Sequence, residues 1–156
     1  YNGKVKTPSV TVKDANGKTL KKNTDYTVKY ASGRKKVGTY KVTITFKGNY
    51  SETKTLSFKI NPKATSLSKL TAATKSLKVK WKKQSTQVTG YEIQYSTSKK
   101  FTSAKKVTVK KYKTTSTTIK KLKAKKTYYV RIRTYKTVSG KKYYSAWSKA
   151  LKKKTK

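Results

Sequence analysis

The chain has no histidine and no cysteine. Histidine titrates near neutral pH, and with cysteine it supplies many transition-metal ligands, nucleophiles and bases. Their absence removes disulfides and thiol chemistry. Acids are almost as scarce, with Asp14, Asp25, Glu52 and Glu92 the only four. A glycosidase needs two carboxylates at a set separation in a cleft. These four fall in separate elements. Asp14 suits a hairpin turn, and Asp25 precedes a strand, where its side chain ties backbone. No glycine-rich phosphate loop or Gly-x-Ser-x-Gly elbow occurs. An enzyme is not expected, and neither is a cofactor or a bound metal. No signal peptide, transmembrane run or lipidation motif is present. Methionine is missing too, and the chain opens on Tyr1. It therefore reads as a mature or excised fragment of something longer.

What is abundant is lysine. Only three of the 43 basic residues are arginine (Arg34, Arg131, Arg133), which leaves 40 lysines and a net charge of +39. Lysine is a hydrated point charge, whereas arginine makes forked contacts with phosphate or base edges. Such a surface implies diffuse, salt-sensitive attraction to polyanions rather than sequence reading. Self-repulsion at this charge lowers stability, so added salt is expected to raise it. Hydrophobic residues are only 33% of the 156, a combination that often means disorder. Here the apolar residues form regular alternating runs rich in Val, Ile, Tyr and Thr, which favour strands. Thirteen tyrosines supply core volume that Leu and Ile would normally provide, and each domain depends on a few aromatics.

Residues 1–62 read as one unit of short strands about ten residues apart. Val10 and Val12 alternate with polar residues, and Asn16-Gly17 is a strong hairpin signal. Tyr26, Val28 and Tyr30 make the next strand. Tyr40, Val42, Ile44 and Phe46 form the longest run, and Leu56, Phe58 and Ile60 close the unit. Tyr40, Ile44 and Phe58 are its expected core. Asn61-Pro62-Lys63-Ala64 reads as a short linker.

Residues 63–156 read as seven strands. Leu67 and Leu70 begin them. Leu77, Val79 and Trp81 follow, then Tyr91, Ile93 and Tyr95 with Glu92 and Gln94 between them, a period of two. Val107 and Val109 form a basic edge strand. Thr115, Thr117 and Ile119 come next, then Leu122. Tyr128, Val130 and Ile132 alternate with Tyr129, Arg131 and Arg133, and Tyr144 to Leu151 is the last strand. The expected core is Trp81, Tyr91, Ile93, Leu122, Tyr128, Val130 and Ile132. The fold class is all-β, two tandem β-sandwiches.

These residues carry two resemblances. Tyr1-Asn2-Gly3-Lys4, Pro8, Asp25-Tyr26, Gly38-Thr39-Tyr40, Gly48-Asn49-Tyr50 and Phe58-Lys59-Ile60 resemble an immunoglobulin-like repeat of surface proteins from Gram-positive gut bacteria, mostly clostridia. Trp81, Tyr91 with Ile93, Leu122, Tyr128 to Ile132 and Ser145-Ala146-Trp147-Ser148 resemble a fibronectin type III domain, in order. That second resemblance implies a core tryptophan at Trp81. It also implies a tyrosine corner at Tyr128, with its hydroxyl on nearby backbone. It places the strand of Glu92 beside that of Arg131 and Arg133, so a cross-strand ion pair is expected. The loop at Lys136 to Lys142 reads Val138-Ser139-Gly140-Lys141, so the Arg-Gly-Asp activity of some family members does not carry over. Asn49-Tyr50-Ser51 is formally a glycosylation sequon, expected to go unused in a bacterial protein.

The second unit holds 29 basic residues against one acid, and the first 14 against three. Lysine pairs recur: Lys105-Lys106, Lys110-Lys111, Lys120-Lys121, Lys125-Lys126 and Lys141-Lys142. With Arg131 and Arg133 they are the candidate polyanion-binding residues. Lysine also solubilises and protects strand edges, but a merely soluble surface mixes both signs. Outward Tyr129 and Tyr135 could add stacking for sugars or bases, or simply cover neighbouring strands. The leading expectation is a monomeric, secreted or wall-associated adhesion module that docks on teichoic acid, mucin or heparan-like glycans, and on nucleic acid only non-specifically. Two alternatives are a released, irisin-like ligand of a host receptor and a passive spacer for another domain.

Overall fold

The computed structural model describes residues 1–50 and 52–156. The sequon therefore ends on a residue outside the described ones. Eleven strands and no helix occur among the described residues, in two compact units, Tyr1–Ile60 and Asn61–Lys156. Asn61 and Pro62, expected to close the first unit, belong to the second.

The first unit is built on one antiparallel sheet of β1 (Tyr26–Tyr30), β2 (Gly38–Phe46) and β3 (Thr53–Ile60), in that order. Alternation along β2 puts Val42 and Ile44 inward, and both are buried. Leu20, Tyr26 and Ile44 form the core cluster, with Val10, Val12, Val28, Phe46 and Tyr50 packed on it. No strand forms at Val10 and Val12. That segment is fastened by tyrosine hydroxyls: Tyr26 donates to the Val10 carbonyl and Tyr30 to that of Pro8. Backbone pairing there shrinks to a single bridge, Lys13 to Thr19. The hairpin closing it is one residue longer than the two-residue Asn-Gly type. The Gly17 amide bonds the Asp14 carbonyl, and Gly17 is left-handed at φ 83°. That is a type I turn followed by a bulge glycine. The Asp14 carboxylate accepts from the amides of Asn16 and Lys18, and that of Asp25 accepts from Lys21. Tyr40 and Phe58, expected in the core, are only half-buried. They face each other across β2 and β3, with ring centroids 5.9 Å apart, and further along the same strands Leu56, opposite Val42, stays exposed.

The second unit has two sheets. One runs β4 (Leu67–Ala73), β5 (Ser76–Trp81), β8 (Ser116–Ile119). The other runs β10 (Lys141–Tyr144), β9 (Thr127–Val138), β6 (Gly90–Ser96), β7 (Lys105–Val109), with β11 (Leu151–Lys154) also on β9. Every strand pair is antiparallel. Between the sheets, Leu77, Val79, Tyr91, Ile93, Val130 and Ile132 are fully buried. Trp81 lies against Tyr91 at 5.2 Å between ring centroids, and Leu122 and Tyr128 complete the cluster. The Tyr128 hydroxyl accepts a 3.0 Å bond from the Lys123 amide, the corner that the resemblance implied.

The single last strand expected at Tyr144 to Leu151 is instead two, β10 and β11, separated at residues 145–150. Two serines explain the break. Ser145 Oγ accepts the Thr134 amide and Ser148 Oγ accepts the Ile132 amide, each at 3.1 Å. Hydroxyls thus replace main-chain carbonyls as β9's partners, and the backbone between them is free to arch. Trp147 sits on that arch.

Candidate polyanion-binding surface

The outer face of the β6–β9 pair is ordered by cross-strand register. Glu92 is opposite Arg133, and Gln94 is opposite Arg131. Arg133 donates through Nε (3.0 Å) and Nη2 (2.6 Å) to Glu92 Oε1. Arg131 Nε donates to Gln94 Oε1 at 2.7 Å. The expected ion pair forms, with Arg133. It is more enclosed than a surface pair, since the Glu92 and Arg133 side chains are 9% and 20% exposed.

Aromatic rings lie over the same guanidinium groups. Arg131 lies 4.0 Å from the Phe101 centroid and 4.7 Å from that of Trp147. Arg133 lies 4.3 Å from Trp147 and 3.8 Å from Tyr144. Both cations thus share Trp147, which the serine arch delivers. Phe101 on one side and Tyr144 on the other complete the stack. Desolvation by burial, and then the charge of Arg133, lower Arg131 from its ordinary value. Each guanidinium is occupied by a polar partner and by rings. Of the candidate residues, the two arginines are therefore the ones held by both a side-chain hydrogen bond and aromatic rings. Tyr135, expected to face outward, is buried. Gly90 makes room for it: a Cβ on Gly90 would lie 2.9 Å from the Tyr135 hydroxyl.

The lysines behave differently. Lys105, Lys106, Lys110, Lys111, Lys120, Lys121, Lys125, Lys126, Lys141 and Lys142 are all exposed. Lys105 and Lys106 lie on β7, an edge strand, and Lys110 and Lys111 follow it. Lys120 and Lys121 leave β8, Lys125 and Lys126 precede β9, and Lys141 and Lys142 form β10. Among the described residues of the second unit, only Arg133 and Lys106 have a carboxylate within 4 Å, and it is Glu92 for both. Lys142 Nζ also lies 5.1 Å from the Tyr135 ring centroid.

One concavity gathers part of this charge. It has a volume of about 280 Å³ and lies between the loop after β6 and the turn after β8. Lys105 and Lys121 line it with Lys123, Tyr95 and the hydroxyl residues Thr102 and Ser103. The other candidate lysines do not reach it. Sequence reasoning missed Lys123, although it flanks the buried Leu122 on the side opposite Lys121. Phe101, Tyr144 and Trp147 were missed as arginine partners. The signal available was Trp147 within Ser145-Ala146-Trp147-Ser148, an aromatic enclosed by two serines.

No curated protein matches the chain. Three fibronectin type III structures resemble its fold. The FN1–FN3 segment of chicken CNTN1 has a TM-score of 0.54 at 21% identity, covering 77% of this chain and 43% of that one. The chain therefore spans less than half of that segment. A two-domain segment of chicken tenascin gives 0.49 at 23% identity, covering 76% and 66%. The domain of human collagen alpha-1(XX) gives 0.45 at 22%, covering 58% and 83%. The model of the fibronectin type III domain matches residues 61–151. That match runs from β4 through β10 and ends on the first residue of β11, taking in Trp81, the tyrosine corner and the Trp147 arch, and the chain belongs to the fibronectin type III family.

Proposed function

We propose that this chain is a non-enzymatic, extracellular binding module of a Gram-positive bacterial surface or secreted protein, and that it docks on polyanionic polymers through its lysines. Fibronectin type III domains typically serve as binding or spacer modules, and the fold by itself does not choose a partner. The observation that carries the reading is charge without counter-charge. The second unit has 29 basic residues and one acid, and that acid is already held by Arg133. A surface selected only for solubility would mix signs. The summed field concentrates extended anions, and binding releases their counterions where the polymer is dense. Teichoic acid and sulfated or sialylated glycans have the required charge. We read the first unit, Tyr1–Ile60, as an immunoglobulin-like repeat paired with this module, on the resemblance carried by its Tyr-Gly motifs; its all-antiparallel sheet is compatible with that reading. The test is binding of the whole chain to immobilised heparin and to poly(glycerol phosphate) over a salt series. Affinity is expected to fall about tenfold or more between 0.1 and 0.5 M salt. Retention that ignores salt would overturn the reading.

A further inference from the structure

The lysine-lined concavity beside Tyr95 differs from the rest of the cationic surface, because it has walls. Lys105 comes to it from β7, and Lys121 and Lys123 from the turn after β8. None of these three has a carboxylate within 4 Å among the described residues. Ser103 and Lys121 both hold left-handed backbone, at φ 49° and 57°. Tyr95 forms a wall, its ring 6.3 Å from that of Tyr128. Its hydroxyl has no hydrogen-bond partner among the described residues. Like any phenol, it is protonated at neutral pH and can donate; desolvation, and then the neighbouring Tyr128, raise its titration further.

We infer that this cleft seats one hydroxyl-bearing unit of a polyanion, a sugar or polyol carrying a sulfate or phosphate ester. Three ammonium groups converge on the ester oxyanion. The Tyr95, Thr102 and Ser103 hydroxyls meet the hydroxyls of the same unit. At about 280 Å³ the cleft falls just below the usual range of ligand pockets, about 300–1,000 Å³, so it admits one such unit and not a folded oligomer. The inference rests on the polyanion reading for its biological setting but is tested apart from it.

The experiment titrates galactose 6-sulfate and glycerol 3-phosphate separately into the whole chain, followed by amide NMR, with inorganic sulfate as comparison. Saturable one-site shifts at Tyr95, Ser103 and Lys121 are expected, and whichever ester binds more tightly assigns the source as a sulfated glycan or a polyol-phosphate wall polymer. Tyr95→Phe is expected to weaken binding about fivefold, the effect of one hydrogen bond. Replacing Lys105, Lys121 and Lys123 together by Gln is expected to abolish saturation. Removing the same charge at Lys69, Lys78 and Lys80, exposed residues of β4 and β5, is expected to leave it intact. Equal loss in both triple variants, or inorganic sulfate binding as tightly as the esters, would overturn the inference. Polymer binding that falls with salt while neither ester saturates would sink the cleft and leave the general docking reading standing. Saturation by an ester with polymer binding indifferent to salt would do the reverse.

Discussion

Glu92→Gln tests how the second unit tolerates its own charge. The substitution keeps an acceptor oxygen and nearly the same shape but removes the only negative charge among 29 cations. In the wild type, Oε1 takes both Nε and Nη2 of Arg133, at 3.0 and 2.6 Å. Exposed pairs contribute about 0–1 kcal/mol, whereas breaking a buried pair costs about 3–5 kcal/mol. With side chains 9% and 20% exposed, this pair lies between the two. Lys106 adds little, being 3.9 Å away and 53% exposed. A loss of about 2 kcal/mol is expected, which for a domain of this size lowers Tm by roughly 8–16 °C. Both tryptophans, Trp81 and Trp147, lie in the second unit, so their fluorescence in a urea series reports on that unit alone. Combining the change with Arg133→Gln in a double-mutant cycle isolates the pair, and a coupling of about 1–2 kcal/mol is expected. Glu52→Gln, in the first unit and exposed, is the control for net charge. A loss below about 0.5 kcal/mol with no coupling would refute the reasoning, because Glu92 would then be an ordinary surface acid.

Four further outcomes follow from the same geometry. Trp81→Ala leaves a void against Tyr91 and is expected to cost about 3–5 kcal/mol; near-normal urea melting would displace Trp81 from the core. Gly90→Ala puts a Cβ 2.1 Å from the Val109 carbonyl oxygen, and loss of about 3 kcal/mol or more is expected from the clash, read by the same fluorescence. Tyr128→Phe removes the acceptor of the Lys123 amide and is expected to cost about 1–2 kcal/mol; an unchanged midpoint would show the corner to be idle. Tyr95 and Tyr135 titrate above the ordinary phenol value, mainly because burial disfavours their anions. The folded state therefore holds those protons longer. Their contribution is complete below the unfolded value near 10 and is lost as pH rises through the higher folded value. Lysine neutralisation relieves repulsion over the same range, so Tyr95→Phe is the comparison: above pH 10 its stability is expected to fall less than that of the wild type, by chemical denaturation.

Alternation made most of the second unit legible. Tyr91 and Ile93 against Glu92 and Gln94 is a pattern of period two with one face buried, and a one-residue slip would bury the charges. That constraint made the core readable, whereas the pairing of Glu92 with Arg131 or Arg133 was legible only through the resemblance, which sets those two strands side by side. Periodicity did not reveal the last strand. Ser145 and Ser148 break the ladder through their side chains, a local competition with no signature of period two. In the first unit the alternating Val10 and Val12 suggested a strand. Hydroxyls from Tyr26 and Tyr30, bonded to carbonyls 16 and 22 residues back in the chain, hold that segment instead. The lysine cleft was illegible for another reason. Lys105 and Lys121 are far apart in sequence, and only the packing of the turn after β8 against the β6–β7 loop brings them to one wall.

The two cation types divide the work between them. Each arginine of the second unit has a planar group with two aromatic rings within 5 Å and a carboxylate or amide bonded to its Nε, an arrangement the fork geometry of guanidinium permits and ammonium does not. Replacing either by lysine would keep the charge and lose the stack. The lysines take the opposite role, since flexible, hydrated ammonium groups tolerate mutual repulsion by staying in solvent. A chain that wanted only solubility could place acids among them at no structural loss, because most of these lysines stand at strand edges and turns. The sole acid is instead committed beneath Arg133, where it neutralises a cation that could not stay hydrated. In the second unit, negative charge is thus present only where folding requires it, the distribution that the proposed polyanion docking calls for.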